Sequence, residues 1–227
     1  MKPILFSTPM VQAILDGRKT MTRRVMKDCT QFDIEESQLL ENNGYNLTHN
    51  YKMSIESVGI FSTKEKLLNW FVAKYSKYQV GDVLWVRETW TYGRVVGESD
   101  EYGNSEFWLE QTQKEEDEKC IFYKADMDDA IREDISFEDV FWKPSIFMPK
   151  EACRIFLRVT NVRVERLQDM PHDDVYAEGF PDDFYKKGGK NFRHWFVDLW
   201  NSINGKGAWE ANPYVFVYEF QRIEKPC

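Results

Sequence analysis

Gly17-Arg18-Lys19-Thr20-Met21-Thr22-Arg23-Arg24 is the stretch around which the rest of the chain is read. Four of its eight residues are cationic, two carry hydroxyls, and a glycine opens it. A short helical signal leads into it. Thr8 can cap, Pro9 suits a first helical position, and Met10, Ile14 and Leu15 give an apolar face. Gly17 then stands where helices commonly end in a left-handed residue. If the segment beyond it is extended, Lys19, Met21 and Arg23 point one way and Thr20, Thr22 and Arg24 the other. A helix stop that runs into a cationic, hydroxyl-bearing strand anchors positive charge, which suits a phosphate or a polar nucleoside. The same pattern also describes a solvated edge strand whose charges resist aggregation.

The chain around this stretch has 227 residues, enough for one sizeable core, or one core with a large insertion. Hydrophobic residues at 42% and aromatics at 15% exclude wholesale disorder. No uninterrupted apolar run approaches a membrane span, and Met1 to Phe6 is too short for a signal peptide, so a cytoplasmic protein without a membrane partner is expected. Cys29, Cys120, Cys153 and Cys227 are scattered, and His49, His172 and His194 are isolated. That spacing fits neither a zinc site nor a secreted disulfide scaffold, and no metal or cofactor is expected.

A net charge of -8 argues at first against nucleic acid, but the charge is unevenly placed. Between Glu98 and Asp139 stand 16 acidic and 4 basic residues, a local balance of -12 that leaves +4 for the remainder. A moderately basic body thus carries one acidic segment. Phosphate binding needs only a basic patch, whatever the global charge. The acidic segment reads either as a solvated insertion or as a guard that competes for the patch.

Taken in order, Pro3 to Phe6 is a leading strand before the helix and the basic stretch. From Lys27 to about Lys77 the pattern weakens into an insertion, with turns at Asn42-Asn43-Gly44. It contains a helix capped by Thr63, with Leu67, Trp70 and Phe71 on one face. Gly81-Asp82 then turns into Val83-Leu84-Trp85-Val86, apolar throughout, as expected for a strand buried on both faces. Arg87, Glu88 and Trp90 follow at its end. Trp90 reads either as core or as a platform on which a base stacks. Cys120 to Lys124 is a further strand, and Trp142 to Pro149 is a proline-bounded extended stretch. Cys153 to Arg166 alternates, changing phase near Thr160-Asn161. Pro171 to Glu178 is a short helix stopped by Gly179. Asn191 to Asn204 is a longer one, with Phe192, Trp195, Phe196, Leu199 and Ile203 on its apolar face. Tyr214 to Phe220 closes the chain as a strand. Several strands, few helices and no βαβ alternation predict an α+β fold with a mostly antiparallel or mixed barrel.

With these pieces placed, the chain resembles the ASCH family. The match rests on the Gly17–Arg24 stretch, Gly81 to Trp90, Lys143-Pro144-Ser145-Ile146, Met148-Pro149, Val175 to Gly179, Leu199 to Asn204, and Asn212-Pro213 with the closing strand. It is similar to the longer phage and prophage branch, and the resemblance spans almost the whole chain. The resemblance implies a single PUA-like domain over residues 1–227: a mixed β-barrel with a few flanking helices and insertions at about 28–77 and 98–140. It also implies a cleft beside the barrel that takes RNA or a modified nucleoside; the basic stretch and the end of the Val83–Val86 strand make Arg18, Arg23, Arg24, Arg87 and Trp90 the expected nucleic-acid contacts. Small bacterial members hydrolyse the acetyl amide of N4-acetylcytidine with a lysine, a threonine and a glutamate. By motif those positions fall on Lys19, Thr22 and Glu178. Thr22 would attack or position water, Lys19 would accept its proton, and Glu178 would shuttle a proton to the leaving amine. The same three residues are also compatible with a structural Lys19–Glu178 ion pair. The alternative functions are a non-catalytic reader of modified or structured RNA, a ribonuclease, and a phage interaction protein with no nucleic-acid role. Phe147 and Glu151 depart from the long branch, which often carries histidine and tryptophan there.

Overall fold

A computed structural model describes residues 1–26, 33–36, 45–51, 54–61, 63–99, 105–111, 120–127, 135–136, 140–186, 188 and 191–226. In chain order the elements are β1 (Lys2–Leu5), α1 (Thr8–Leu15), β2 (Met21–Val25), β3 (Asp33–Glu36), β4 (Tyr45–Tyr51), β5 (Ser54–Phe61), α2 (Lys64–Tyr75), β6 (Val83–Arg87), β7 (Trp90–Ser99), β8 (Ser105–Gln111), β9 (Cys120–Tyr123), β10 (Ile135–Ser136), β11 (Phe156–Arg166), α3 (Asp174–Ala177), α4 (Phe192–Asn204) and β12 (Tyr214–Ile223). The protein is α+β, with parallel and antiparallel pairings and few helices. No strand order among the described residues closes on itself. The turn expected at 42–44 and the acidic run 115–118 lie outside the described residues.

The chain forms two compact units, each drawn from separated stretches. Met1–Gly17, Val83–Leu157 and Arg222–Cys227 make the first, and Arg18–Asp82 with Arg158–Gln221 make the second.

In the first unit β1 lies parallel to β6, pairing Lys2 with Leu84 and Leu5 with Arg87. Leu84, Trp85 and Val86 are all buried, as a run apolar on both faces requires. A second sheet has the order β10-β8-β7-β9. Trp85, Trp90, Tyr92, Met148, Cys153 and Phe156 pack as one core cluster. Between Pro144 and Pro149 the chain is not extended throughout: Ser145–Phe147 close one 3-10 turn. Lys143 and Met148, which precede the prolines, cannot be helical, but the residues between them are under no such restriction.

In the second unit β11, β12 and β2 are neighbours in that order, and β2 runs antiparallel to β12. Its core joins Met21, Val215 and Val217 of the sheet to Phe196 and Trp200 of α4 and to Val175 and Phe180. Asn191 caps α4 by accepting from the Arg193 N–H at 2.8 Å. Ile203, expected on the apolar face of that helix, is 56% exposed in its last turn, and Trp200 is the buried residue instead. α2 is capped by Thr63 as expected, and its Leu67 and Phe71 are buried. It belongs to this unit's core: the Phe71 ring lies 6.5 Å from that of Phe216. β3, β4 and β5 form a separate antiparallel sheet.

Candidate functional site

Two glycines in left-handed backbone bring the basic stretch to the short helix before residue 179. Gly17 has φ 78° and Gly179 has φ 97°, conformations that cost a side-chain-bearing residue dearly. Between them Lys19 and Glu178 form an isolated antiparallel bridge. The Thr20 N–H donates to the Ala177 carbonyl at 2.9 Å, and the Phe220 N–H donates to the Thr20 carbonyl at 2.8 Å. Backbone pairing therefore sets these side chains against one another before any charge acts.

The Lys19 amine donates to Glu178 Oε2 at 2.8 Å and to the Glu178 backbone carbonyl at 2.8 Å. Both residues are 4% exposed. Burial holds the Lys19 ammonium below its ordinary range; Glu178 pulls the other way, while Arg24 and Arg23 add to the lowering. A lysine so placed gives up its proton more readily than one in water, which a proton acceptor requires.

Thr22 sits opposite Tyr218 on the β2–β12 ladder and is 2% exposed. Its hydroxyl makes no hydrogen bond among the described residues. Strict alternation puts Thr22 and Arg24 on one face of β2, and Met21 and Arg23 on the other. Both arginines nevertheless act on the Lys19 amine, so the Lys19–Glu178 pair lies at the strand end, within electrostatic reach of both faces.

Arg23 is not a phosphate contact. Its side chain is fully buried, and each of its five donor hydrogens has an acceptor inside the protein. Nε donates to Glu165 Oε1 at 2.9 Å; Nη1 donates to Glu178 Oε1 at 3.1 Å and to Met21 Sδ at 3.3 Å. Nη2 donates to Glu165 Oε1 at 2.7 Å and to Asp174 Oδ2. Burial alone would lower its guanidinium, but Glu178 and Glu165 outweigh burial and raise it. Arg163 stands behind this group, donating to Glu165 Oε2 at 3.1 Å, to Asp174 Oδ2 at 2.5 Å and to Glu219. A solvated edge strand is excluded by the same observation: Met21, Thr22 and Arg23 are all buried.

Arg18 is half-buried and ties down the other side of Gly179, donating from Nη1 to the Gly179 and Phe180 carbonyls at 3.2 Å each. Arg24 is half-buried too, and burial pushes its guanidinium down, against Glu178, Tyr78 and Tyr218. Lys19, Thr22, Glu178, Arg18, Arg23 and Arg24 all belong to the second unit.

Arg87 and Trp90 belong to the first. Arg87 Nε donates to the Met148 carbonyl at 3.1 Å, and its guanidinium lies 5.0 Å from the Trp85 ring. Trp90 is a core residue, 3% exposed, with the Lys143 amine 5.1 Å from its ring. A ring enclosed in this way cannot serve as an open stacking platform. Beside it stands an ion pair that the sequence reading did not identify. Arg154 grips both oxygens of Glu88, at 3.0 and 2.9 Å, and donates to Asp126 at 2.7 Å. Burial raises the Glu88 carboxyl despite that grip. Among the described residues no group of three or more His, Cys, Asp or Glu side chains is placed to hold a metal ion.

Glu165, Asp174 and Arg163 were also missed as members of the site. The available signal was weak: Arg163 and Glu165 lie two apart on an alternating strand, so they share a face. No family model matches the chain, and no curated protein or solved structure matches it either.

Proposed function

We propose that the chain is an ASCH-type, PUA-like protein that takes RNA or a modified nucleoside beside Lys19 and Glu178. Its reaction is hydrolysis of an acyl amide on a cytidine base, of the N4-acetylcytidine kind. The observation that carries this reading is the buried Lys19 Nζ–Glu178 Oε2 contact of 2.8 Å, formed on the segment that also bears Thr22, whose hydroxyl bonds nothing among the described residues. In this reaction Thr22 attacks the acyl carbonyl or holds the water that does. Lys19, its amine shifted toward the neutral form, accepts the proton. Glu178 carries a proton to the base nitrogen as the C–N bond breaks, and water completes release of the acid.

A second reading has its own support. The Lys19 amine also bonds to the Glu178 carbonyl, which closes the pair on itself as a fixed part of a binding wall. In that case the protein reads a modified base without changing it. Incubation with N4-acetylcytidine, followed by mass spectrometry of the nucleoside and assay of acetate, separates the two. Equimolar cytidine and acetate support the hydrolase; binding without release of acetate over hours overturns it.

A further inference from the structure

Glu178 is shared between two cations, and the division is by oxygen atom. Oε2 receives Lys19, and Oε1 receives Arg23. We propose that Arg23 is a positioning residue of this site: its Nη1, held in place while Nε and Nη2 grip Glu165, fixes Oε1, so that Glu178 presents a single oxygen to the Lys19 amine. The inference rests on taking Lys19 and Glu178 as the working pair.

Three observations carry it. The Arg23 side chain is wholly buried, so its charge is not there for solubility or for a solvent-borne ligand. Glu165 and Asp174 hold its other donors, which keeps the guanidinium plane from turning away from Glu178. Arg163 holds Glu165 and Asp174 in turn, yet has no contact with Glu178 among the described residues. The arrangement is a chain of support that ends on one carboxylate oxygen. A planar guanidinium suits this task better than an ammonium, because gripping Glu165 with Nε and Nη2 also fixes where Nη1 points.

Arg23 also acts on Lys19 directly. Among the charged groups that bear on the Lys19 amine are Glu178, Arg24 and Arg23, and both arginines favour its neutral form. Loss of Arg23 therefore works twice in one direction. It removes a nearby positive charge, and it frees the second oxygen of Glu178 to bond the ammonium.

The test needs no substrate. Lysine labelled with 13C at Cε is incorporated into the full chain, the Lys19 resonance is identified by its loss in Lys19→Met, and its pH midpoint is measured. Arg23→Gln should raise that midpoint by about one pH unit or more, the scale of a close charge on a buried group. Arg23→Lys keeps the charge among the carboxylates but loses the fork, and should raise it by a smaller amount. This second variant decides the matter if Arg23→Gln does not fold. Arg163→Gln disturbs the same carboxylates without touching Glu178, and should lower the melting temperature while moving the midpoint less than Arg23→Gln does. Unmoved midpoints in both Arg23 variants overturn the proposal, as does an equal shift in Arg163→Gln. Absence of turnover in the parent would bear on the reaction alone, since the Lys19 titration is read without it.

Discussion

Lys19 Nζ meets Glu178 twice, at the carboxylate and at the backbone carbonyl, each at 2.8 Å. The two residues are 159 apart in sequence, yet a β-bridge joins their backbones. The pair is thus imposed by chain pairing and then sealed by charge. Its pH behaviour follows from burial. Because the folded Lys19 ammonium is held below its unfolded value, the unfolded chain binds that proton more tightly. The Lys19 contribution to stability therefore grows as pH rises from the folded value toward the unfolded one. Urea unfolding of parent and Lys19→Met across the alkaline range should show the parent gaining on the variant as pH rises.

The Glu88–Arg154 pair gives the clearest stability prediction. Glu88 is 1% exposed, and Arg154 holds both of its oxygens. Arg154→Met should cost about 3 kcal/mol, the lower end for unpairing a buried charge, because the Arg154 side chain is itself 27% exposed. Adding Glu88→Gln to that variant should restore most of the loss, since no buried charge is then left alone. The pH dependence has the opposite sign to that of Lys19. A carboxyl raised by burial favours the folded state below its unfolded value, and that advantage is lost as pH rises through the folded one. The deficit of Arg154→Met, measured by urea unfolding, should therefore narrow as pH falls from neutrality through the raised Glu88 midpoint.

α2 lies in a stretch that the sequence marks only as an insertion, and its packing argues for more than decoration. Phe71 is 3% exposed and lies against Phe216 and Tyr75; Ser76, just past the helix, donates to the Tyr218 phenol at 3.1 Å. Phe71→Ala should cost about 3–5 kcal/mol, the usual range for emptying a buried aromatic site. Thr63→Ala should cost only about 0.5–1 kcal/mol, because it removes one exposed capping bond. A loss of less than 1 kcal/mol for Phe71→Ala would show the helix to be dispensable.

What could be read in advance follows the range of the signals. Leu84 to Val86 announces a doubly buried strand, because local hydrophobicity is itself the cause of burial there. Gly17, Thr63 and Asn191 mark helix ends because each acts on backbone within a few residues. The surroundings of Arg23 carry no such signal. Glu165 is 142 residues away and looks like any outward polar position on an alternating strand. A cationic stretch looks the same whether its charges meet solvent, phosphate or internal carboxylates, and here Lys19 and Arg23 meet carboxylates. Trp90 illustrates the same limit: a tryptophan at a strand start suits a platform as well as a core. Packing against Trp85, Tyr92 and Met148 makes it core, with Lys143, joined to Trp90 by a backbone bridge, beside the ring.

Substitution within the Lys19, Thr22 and Glu178 group separates an enzyme from a reader. Lys19→Met keeps the apolar stem and removes the amine, and Arg23 remains to balance Glu178. If Lys19 is the proton acceptor, release of acetate from N4-acetylcytidine should fall by roughly a hundredfold or more, the scale of general acid–base groups. Thr22→Val removes only a hydroxyl that bonds nothing among the described residues, so the fold should be little disturbed while turnover falls as far. Glu178→Gln keeps shape and should do the same. Groups that act as one unit are not additive, so the triple variant should be little worse than the worst single one. In the parent, kcat/KM should rise with pH through the lowered Lys19 midpoint, because the neutral amine is the working form. A reader behaves otherwise on every count. The parent then binds the acetylated nucleoside and releases nothing, each variant changes affinity by a modest factor, and the factors multiply. Equal loss of binding and melting temperature across all three variants would return Lys19 and Glu178 to the architecture of the strand end, with Thr22 as its neighbour.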